Sequence, residues 1–272
     1  MVNGYYPRSL TEALGFRAAC DAVPYGGGTD LMINADPAAE YLFLNKVPEM
    51  KQITEDSRYI RIGAGCTFSE LIAHPLTPAI LKEAVSQIAA PAIRNVGTVG
   101  GNIGNGSAKA DSALIFFVTD SVVRLMSSKS ERLLPVKEFY TGRKKLALAP
   151  NELIVELLIP KTSLCSFYYK KVGARKAQAI SRVCFAGLMD IADNRIIKCS
   201  TAFGAVSEVV LRLDSIDAML AGKTIEEAKT LKPVYLKAFD QAIVPITGRI
   251  SAEYRKDVCM NLLGDFLDSF GI

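Results

Sequence analysis

Residues 93–107 read IRNVGTVGGNIGNGS, and this stretch is the most informative part of the chain because five glycines stand there among small polar side chains. Glycine adopts positive φ at little cost and lets a phosphate approach the main chain, so the stretch can present backbone N–H groups to an anion. We expect a long loop here, between two helical patterns. The glycine spacing differs from G-x-G-x-x-G, and a surface loop without a ligand is the alternative.

A shorter glycine turn precedes this stretch, in YGGGTD at residues 25–30. The turn follows a strand pattern at 22–25 and precedes a helical stretch at 31–35, where backbone amides and the helix dipole favour an anion. Thr29 or Asp30 can cap that helix. The lysine of a P-loop is missing, and a plain tight turn is the alternative. Two candidate phosphate sites in one chain suggest a dinucleotide.

Hydroxyl, amide and carboxyl groups accompany the longer glycine stretch, at Thr98, Asn102, Ser107 and Asp111. Such groups can bond the phosphate oxygens and sugar hydroxyls of a nucleotide. Their presence favours a ligand site over an empty surface loop.

The composition is that of an ordinary globular protein. The chain has 272 residues, 50% of them hydrophobic, which allows roughly two domains. Its 32 basic and 28 acidic residues leave a net charge of +4 and are spread along the chain, which argues against a nucleic-acid partner. No run approaches the ~18 apolar residues of a membrane span, and the N-terminus lacks the blocks of a signal peptide. We therefore expect a cytoplasmic protein without a membrane partner.

Six cysteines stand singly, without a C-x-x-C pair. Zinc and iron–sulfur ligands come in closely spaced sets, so we expect free thiols and no metal site. The one histidine, His74, lies at the end of a helical pattern, where a solvated cap is the favoured interpretation. No catalytic residue is assigned.

The composition shifts after residues 162–163, and we place a domain boundary near residue 162. Before it, strands alternate with helices, which suits a small mixed sheet, and a hairpin is expected at 121–126 and 131–134. After it, a run of strands precedes a run of helices. The other elements expected before the boundary are helices at 8–19, from 67, at 78–88 and at 111–118, and strands at 41–44, 59–63 and 153–159. After the boundary we expect strands at 166–172, 181–191 and 195–205, and helices at 224–244 and 251–270.

Together the glycine segments resemble those of the FAD-binding subunit of the molybdenum hydroxylases, the xanthine dehydrogenase and carbon monoxide dehydrogenase group. The resemblance covers nearly the whole chain, including its opening residues and a three-part layout. It rests on residues 6–13, 27–31 and 93–103, on Ser107 and Asp111, and on residues 171–183.

The resemblance implies an α+β protein that binds FAD. Two subdomains, about 1–55 and 56–162, would clasp the cofactor in the manner of the vanillyl-alcohol-oxidase and PCMH folds. Residues 1–162 would thus form the FAD-binding region. Residues 163–272 would form a C-terminal α+β domain with a small antiparallel sheet and helices.

The resemblance assigns both glycine segments to FAD. The first would hold the pyrophosphate of the cofactor through backbone amides and the Thr29 hydroxyl, at Gly26, Gly27, Gly28, Thr29 and Asp30. The second would approach from the other subdomain, at Gly97, Thr98, Gly101 and Asn102, with Ser107 in the same motif. Ala108 follows that serine here, where the family usually has proline.

The resemblance also assigns residues to the rest of the cofactor. Asp111 would bond sugar hydroxyls at the adenosine end. Lys171 matches a lysine near the flavin ring, where a cation favours negative charge on the ring. The apolar positions beside the cofactor are Ile88, Ala89 and Ile154.

As a member of this family, the chain would be an oxidoreductase subunit with two kinds of partner. A molybdopterin-binding subunit and a [2Fe-2S] subunit would supply electrons, which pass through FAD to NAD or another acceptor. Residues 175–178, RKAQ, replace acidic residues that meet the nicotinamide side in some members. A xanthine dehydrogenase-like complex is favoured over a nicotinate or carbon monoxide dehydrogenase. A self-sufficient FAD-dependent oxidase or reductase and a nucleotide-binding assembly protein are the alternatives from other classes.

Overall fold

The computed structural model describes residues 4–272 and has 37% helix and 27% strand. The expected α+β class is confirmed. Three larger sheets follow one another along the chain, and a two-stranded ribbon accompanies the second. Within residues 4–272, no helix has the length and apolar character that crossing a bilayer requires.

The first sheet has three strands, in the order β1-β3-β2, and both of its pairings are parallel rather than mixed as expected. Parallel neighbours require crossover connections, and a helix and a short 3₁₀ turn at 31–34 supply them. The Ser9 hydroxyl caps the helix by accepting from the Glu12 amide at 3.1 Å. The elements are β1 (Gly4–Tyr5), α1 (Leu10–Ala19), β2 (Val23–Tyr25) and β3 (Tyr41–Phe43).

The second sheet is antiparallel and has five strands, in the order β4-β5-β10-β6-β7. The expected hairpin is confirmed as its β6–β7 edge. Residues 53–55 pair with this sheet, although the predicted first subdomain includes them. The strands are β4 (Ile53–Glu55), β5 (Tyr59–Gly63), β6 (Val122–Met126), β7 (Glu131–Pro135), the ribbon strands β8 (Tyr140–Gly142) and β9 (Lys145–Leu146), and β10 (Leu153–Pro160).

Six helices lie between β5 and β8, and two of them correct the expected loop at 93–107. One ends inside the stretch and another begins after Thr98, the N-cap residue, whose hydroxyl accepts from the Gly101 amide at 3.2 Å. Glycine is a poor helix former, so this cap and close packing hold the short helix. The helices are α2 (Phe68–Ala73), α3 (Ala79–Ser86), α4 (Pro91–Arg94), α5 (Val99–Gly104), α6 (Asp111–Val118) and α7 (Val136–Phe139).

The third sheet is antiparallel, in the order β11-β12-β13, and helices follow it as expected. Side chains of β12 alternate between two cores. Cys184 and Ala186 belong to the core that includes α6, whereas Val183 and Phe185 pack with the C-terminal helices. The sheet is therefore covered on both faces. The elements are β11 (Ser166–Gly173), β12 (Ser181–Ala192), β13 (Arg195–Gly204), α8 (Asp214–Asp217), α9 (Ile225–Ala242) and α10 (Ala252–Ser269).

Candidate functional site

A cavity of about 710 Å³ opens where the two glycine segments meet. Its walls come from the turn after β2, the β5–α2 connection, α5 and β10. The volume lies in the range of sites for small molecules and cofactors. The predicted site residues that line it are Gly26, Gly27, Gly28, Thr29, Asp30, Gly97, Thr98, Gly101, Asn102 and Ile154.

The two segments approach each other so closely that only glycine fits between them. A Cβ on Gly27 would lie 1.7 Å from the carbonyl oxygen of Val96, and a Cβ on Gly26 would lie 2.4 Å from the Thr98 hydroxyl. Gly28 has a φ of +69°, in the region that favours glycine. The sequence segments, far apart in the chain, therefore form one continuous wall.

The first segment also presents backbone donors without protein partners. Among the described residues, the amides of Gly27, Gly28, Thr29 and Asp30 donate no hydrogen bond. Backbone N–H groups without a protein partner are available to the oxygen atoms of a ligand. Free backbone amides along a cavity of this size can donate to the phosphate oxygens of a dinucleotide.

Sequence reasoning missed part of the cavity lining. Arg17, at the end of α1, donates from Nη1 to the Ala22 carbonyl oxygen at 2.8 Å, and burial lowers its pKa. A basic residue in the last turn of a helix is ordinarily a solvated partner of the helix dipole. The sequence position of Arg17 therefore did not indicate that it lines a cavity. Asn45 and Lys51 also line the cavity, from segments without glycine motifs.

Asp111 and Lys171 form a buried ion pair outside the lining of that cavity. The Lys171 ammonium lies 2.7 Å from Asp111 Oδ2, and the two side chains are 9% and 6% exposed. The ammonium also donates to the Gln87 carbonyl oxygen at 3.0 Å. Ser181, which sequence reasoning missed, donates from its hydroxyl to Asp111 Oδ1 at 2.5 Å.

The predicted apolar residues Ile88 and Ala89 follow Gln87 and so adjoin this ion pair. Arg94 donates from Nη1 to their carbonyl oxygens, at 2.7 Å and 3.1 Å. Ala89 has a φ of +44°, a left-handed conformation that these contacts hold in place. Tyr169, two residues before Lys171 on β11, has a buried hydroxyl without a hydrogen-bond partner in the described chain. A ligand group is one partner that such a hydroxyl can take.

A side-chain hydrogen bond joins the ion pair to the cavity. The Ser112 hydroxyl, next to Asp111, donates to Asn102 Oδ1 at 2.6 Å, and Asn102 lines the cavity. The two predicted roles of the pair conflict, because Asp111 was assigned to the adenosine end of FAD and Lys171 to its flavin end. Groups 2.7 Å apart would face the same end of an extended cofactor, so the two assignments cannot both hold.

Ser107, another predicted site residue, makes a local hydrogen bond in a turn. It opens the turn before α6, where its hydroxyl accepts from the Lys109 amide at 3.2 Å. It does not line the cavity, whereas its neighbours Gly104 and Asn105 do. Over residues 4–272, no group of three or more His, Cys, Asp or Glu side chains is arranged to hold a metal ion.

Two protein families match the chain in succession. The family described as the FAD binding domain in molybdopterin dehydrogenase matches residues 1–162, and the CO dehydrogenase flavoprotein C-terminal domain matches residues 167–270. The first match covers more than half of the chain.

Curated relatives are similar over most of their length. The nicotinate dehydrogenase FAD-subunit of Eubacterium barkeri is 29% identical, over 97% of this chain and 95% of the relative. The xanthine dehydrogenase FAD-binding subunit of Escherichia coli O157:H7 is 29% identical, over 92% and 90%. The carbon monoxide dehydrogenase medium chain of Hydrogenophaga pseudoflava is 26% identical, over 80% and 79%.

Solved structures show the same fold. A chain of carbon monoxide dehydrogenase from Hydrogenophaga pseudoflava superimposes with a TM-score of 0.88 at 23% identity, covering 98% of this chain and 96% of that one. A chain of quinoline 2-oxidoreductase from Pseudomonas putida 86 gives 0.87 at 21% identity, covering 99% and 96%. With a glycine-walled cavity, two successive family matches and this fold, the chain belongs to the FAD-binding subunits of the molybdenum hydroxylase family.

Proposed function

We propose that the chain holds its FAD with the pyrophosphate against the two glycine segments and the flavin toward Asp111 and Lys171. The observation that carries this proposal is the shared cavity wall, in which Gly26 and Gly27 lie against Val96 and Thr98. The unpartnered amides of the first segment supply donors for the phosphate oxygens. The hydrogen bond between Asn102 and Ser112 leads from that wall to the ion pair.

The residues around the cofactor have distinct tasks in this arrangement. FAD, when bound, supplies the chemistry of accepting and releasing electrons, and the protein supplies orientation and electrostatics. Lys171 offers a positive charge whose position Asp111 and the Gln87 carbonyl oxygen fix. Ile154, in β10, provides an apolar wall that keeps water from that side of the cavity.

We propose further that the chain relays electrons within a multi-subunit complex. Its partners would be a [2Fe-2S] subunit and a molybdopterin-binding subunit, and the final acceptor would be NAD or another molecule. The names of the relatives support this, because each is a FAD-subunit, a FAD-binding subunit or a medium chain of a larger dehydrogenase. A xanthine dehydrogenase-like complex is the favoured assembly.

We also propose a division of the chain into an FAD-binding region, residues 1–162, and a C-terminal domain, residues 163–272. The family matches meet between residues 162 and 167, which supports this division. The third sheet with its helices would then form the C-terminal domain.

Purification of the tagged chain with its native partners tests the electron relay. We expect FAD, iron and molybdenum in the same complex. The variant Gly101→Asp should keep iron and molybdenum but lose FAD and all reduction of the acceptor, since a carboxylate there repels a pyrophosphate. Gly15→Asp is the matched control, because Gly15 is exposed on α1 with no atom near its Cβ position.

Two results would contradict the relay. One is turnover of a substrate by the isolated chain without partner subunits, which favours a self-sufficient flavoprotein. The other is full reduction of the acceptor by a complex that lacks FAD.

A further inference from the structure

Arg17 is a basic residue of the cavity wall that none of the cofactor assignments uses. Lys51, the other basic residue in the described lining, forms an ion pair with Glu70 at 3.9 Å. Arg17 forms no ion pair among residues 4–272. Burial lowers the pKa of its guanidinium more than the charge of Asp21 raises it. A ligand with negative charge would offset this cost of burial.

Two backbone carbonyl oxygens fix the position of the Arg17 guanidinium. Nη1 donates to the Ala22 oxygen at 2.8 Å, and Nε donates to the Glu152 oxygen at 3.4 Å. Both acceptors are uncharged, so these bonds hold the group without cancelling its charge. Nη2 donates to no group of the described chain, which leaves donors for a ligand.

The Glu152 carboxylate also belongs to the cavity lining, but a different arginine holds it. Arg132 donates to Oε1 from Nε at 2.7 Å and to Oε2 from Nη2 at 2.8 Å. The Ala149 amide donates to Oε2 as well, at 2.8 Å. Because this carboxylate is engaged by Arg132, it does not serve as the counterion of Arg17.

The position of Arg17 separates it from the first glycine segment. Ala22, whose carbonyl oxygen it bonds, precedes β2, and Gly26 follows β2. At ~3.3 Å per residue of extended strand, the Cα atoms of Ala22 and Gly26 lie roughly 13 Å apart. A cofactor with its phosphates at the glycine turn would therefore meet Arg17 with another part of the molecule.

Contacts at the end of α5 place Arg17 near the flavin end of the site. A Cβ on Gly104, the last residue of α5, would lie 3.4 Å from Ile154 Cδ1. Ile154 stands two residues after Glu152, whose carbonyl oxygen Arg17 bonds. In the proposed arrangement, the flavin extends past Asn102 of the same helix toward the buried ion pair. Arg17 and the flavin thus share the end of the cavity at which α5 ends.

We propose that Arg17 is a further flavin-binding residue, whose charge favours the reduced form of FAD. This inference rests on the proposed function for the position of the flavin. Reduction adds two electrons and one proton to the ring, and the [2Fe-2S] partner of that proposal supplies the electrons. The product carries one more negative charge than the oxidised ring, and a fixed cation stabilises that charge.

The reduction potential of FAD bound to the full chain, measured in equilibrium with a reductant and a reference dye, tests the proposal. Arg17→Gln and Arg17→Met remove the charge. We expect each to lower the preference for reduced over oxidised FAD about tenfold, which is about 30 mV for a two-electron couple. Arg17→Lys keeps a positive charge and should retain a potential close to that of the wild type.

Arg8→Met is the matched control. Arg8 is exposed just before α1 and forms no ion pair in the described chain, so its substitution removes the same charge outside the cavity. Its potential should equal that of the wild type. Circular dichroism accompanies each variant, because the bonds of Arg17 to carbonyl oxygens also stabilise the fold.

An unchanged potential in the folded, FAD-loaded neutral variants would overturn the inference, as would an equal loss in Arg8→Met. Equally weaker binding of oxidised and reduced FAD would assign Arg17 to the phosphates and overturn it too. Where the neutral variants do not fold, Arg17→Lys decides: a potential close to that of the wild type supports the inference, and a tenfold loss overturns it. Failure of the wild type to bind FAD would count against the proposed function instead, so the two failures are distinguishable.

Discussion

At the scale of single residues, loss of the buried Asp111–Lys171 ion pair has a large expected cost. Removing one partner of a buried pair leaves the other charge without compensation. We expect Lys171→Met to lower the free energy of unfolding by roughly 3–5 kcal/mol and to weaken FAD binding. Chemical denaturation with FAD titration measures both effects.

Lys170→Met is the matched control for this prediction. Lys170 is the neighbouring residue on β11, exposed and without an ion pair in the described chain, so its substitution should change stability by less than about 0.5 kcal/mol. Equal stability of the two variants would show that the pair contributes nothing.

A second prediction at this scale concerns pH and Asp217. Burial raises the pKa of this carboxyl to about 6 from 3.8, against the opposing charge of Arg212 and hydrogen bonds from Thr201 and Tyr235. Because the pKa of Asp217 is higher in the folded state than in the unfolded chain, its contribution to stability is fully present below about pH 3.8. This contribution is lost as the pH rises through 6.

The comparison of wild type with Asp217→Asn isolates that contribution. Between pH 4 and pH 7, the free energy of unfolding of the wild type should fall by at most about 3 kcal/mol relative to that of Asp217→Asn. Thermal unfolding across this range measures it. A difference that is constant with pH would mean that Asp217 does not titrate in this interval.

At the scale of elements, the cap of α5 links helix stability to the cofactor site. Thr98 caps α5 by accepting from the Gly101 amide, and it also lines the cavity between the two glycine segments. Thr224 caps α9 by accepting from the Glu227 amide. We expect Thr98→Ala and Thr224→Ala each to cost about 1 kcal/mol of stability. Only Thr98→Ala should weaken FAD binding, which fluorescence titration measures. Equal FAD affinities would separate α5 from the site.

The same elements show what could be predicted from the sequence. Hydrophobic periodicity predicts the strands of the third sheet and the two long C-terminal helices, because each of these elements buries one regular face. The helix in the glycine stretch could not be predicted in this way. Its stability depends on the Thr98 cap and on close packing at Gly100. A Cβ at Gly100 would lie 2.5 Å from Ala64 Cβ, so this contact joins segments that are distant in the sequence.

At the scale of the whole molecule, long-range contacts decided which predicted residues lie together. The glycine segments meet at Gly27 and Val96, as a shared ligand suggested. The bond between Asp111 and Lys171 spans 60 positions, and no local pattern reveals that α6 packs against the third sheet. For the same reason, the roles of Ser181 and Arg17 emerged only from the folded chain.

In the proposed arrangement, both glycine segments hold one FAD. Titration of FAD into the apoprotein, followed by flavin fluorescence and absorbance, tests it most directly. We expect one FAD per chain for the wild type and for Gly15→Asp. We expect no binding for Gly28→Asp or Gly101→Asp, while circular dichroism shows that each variant is folded. FAD binding that survives in either of the last two variants would contradict a cofactor shared by both segments.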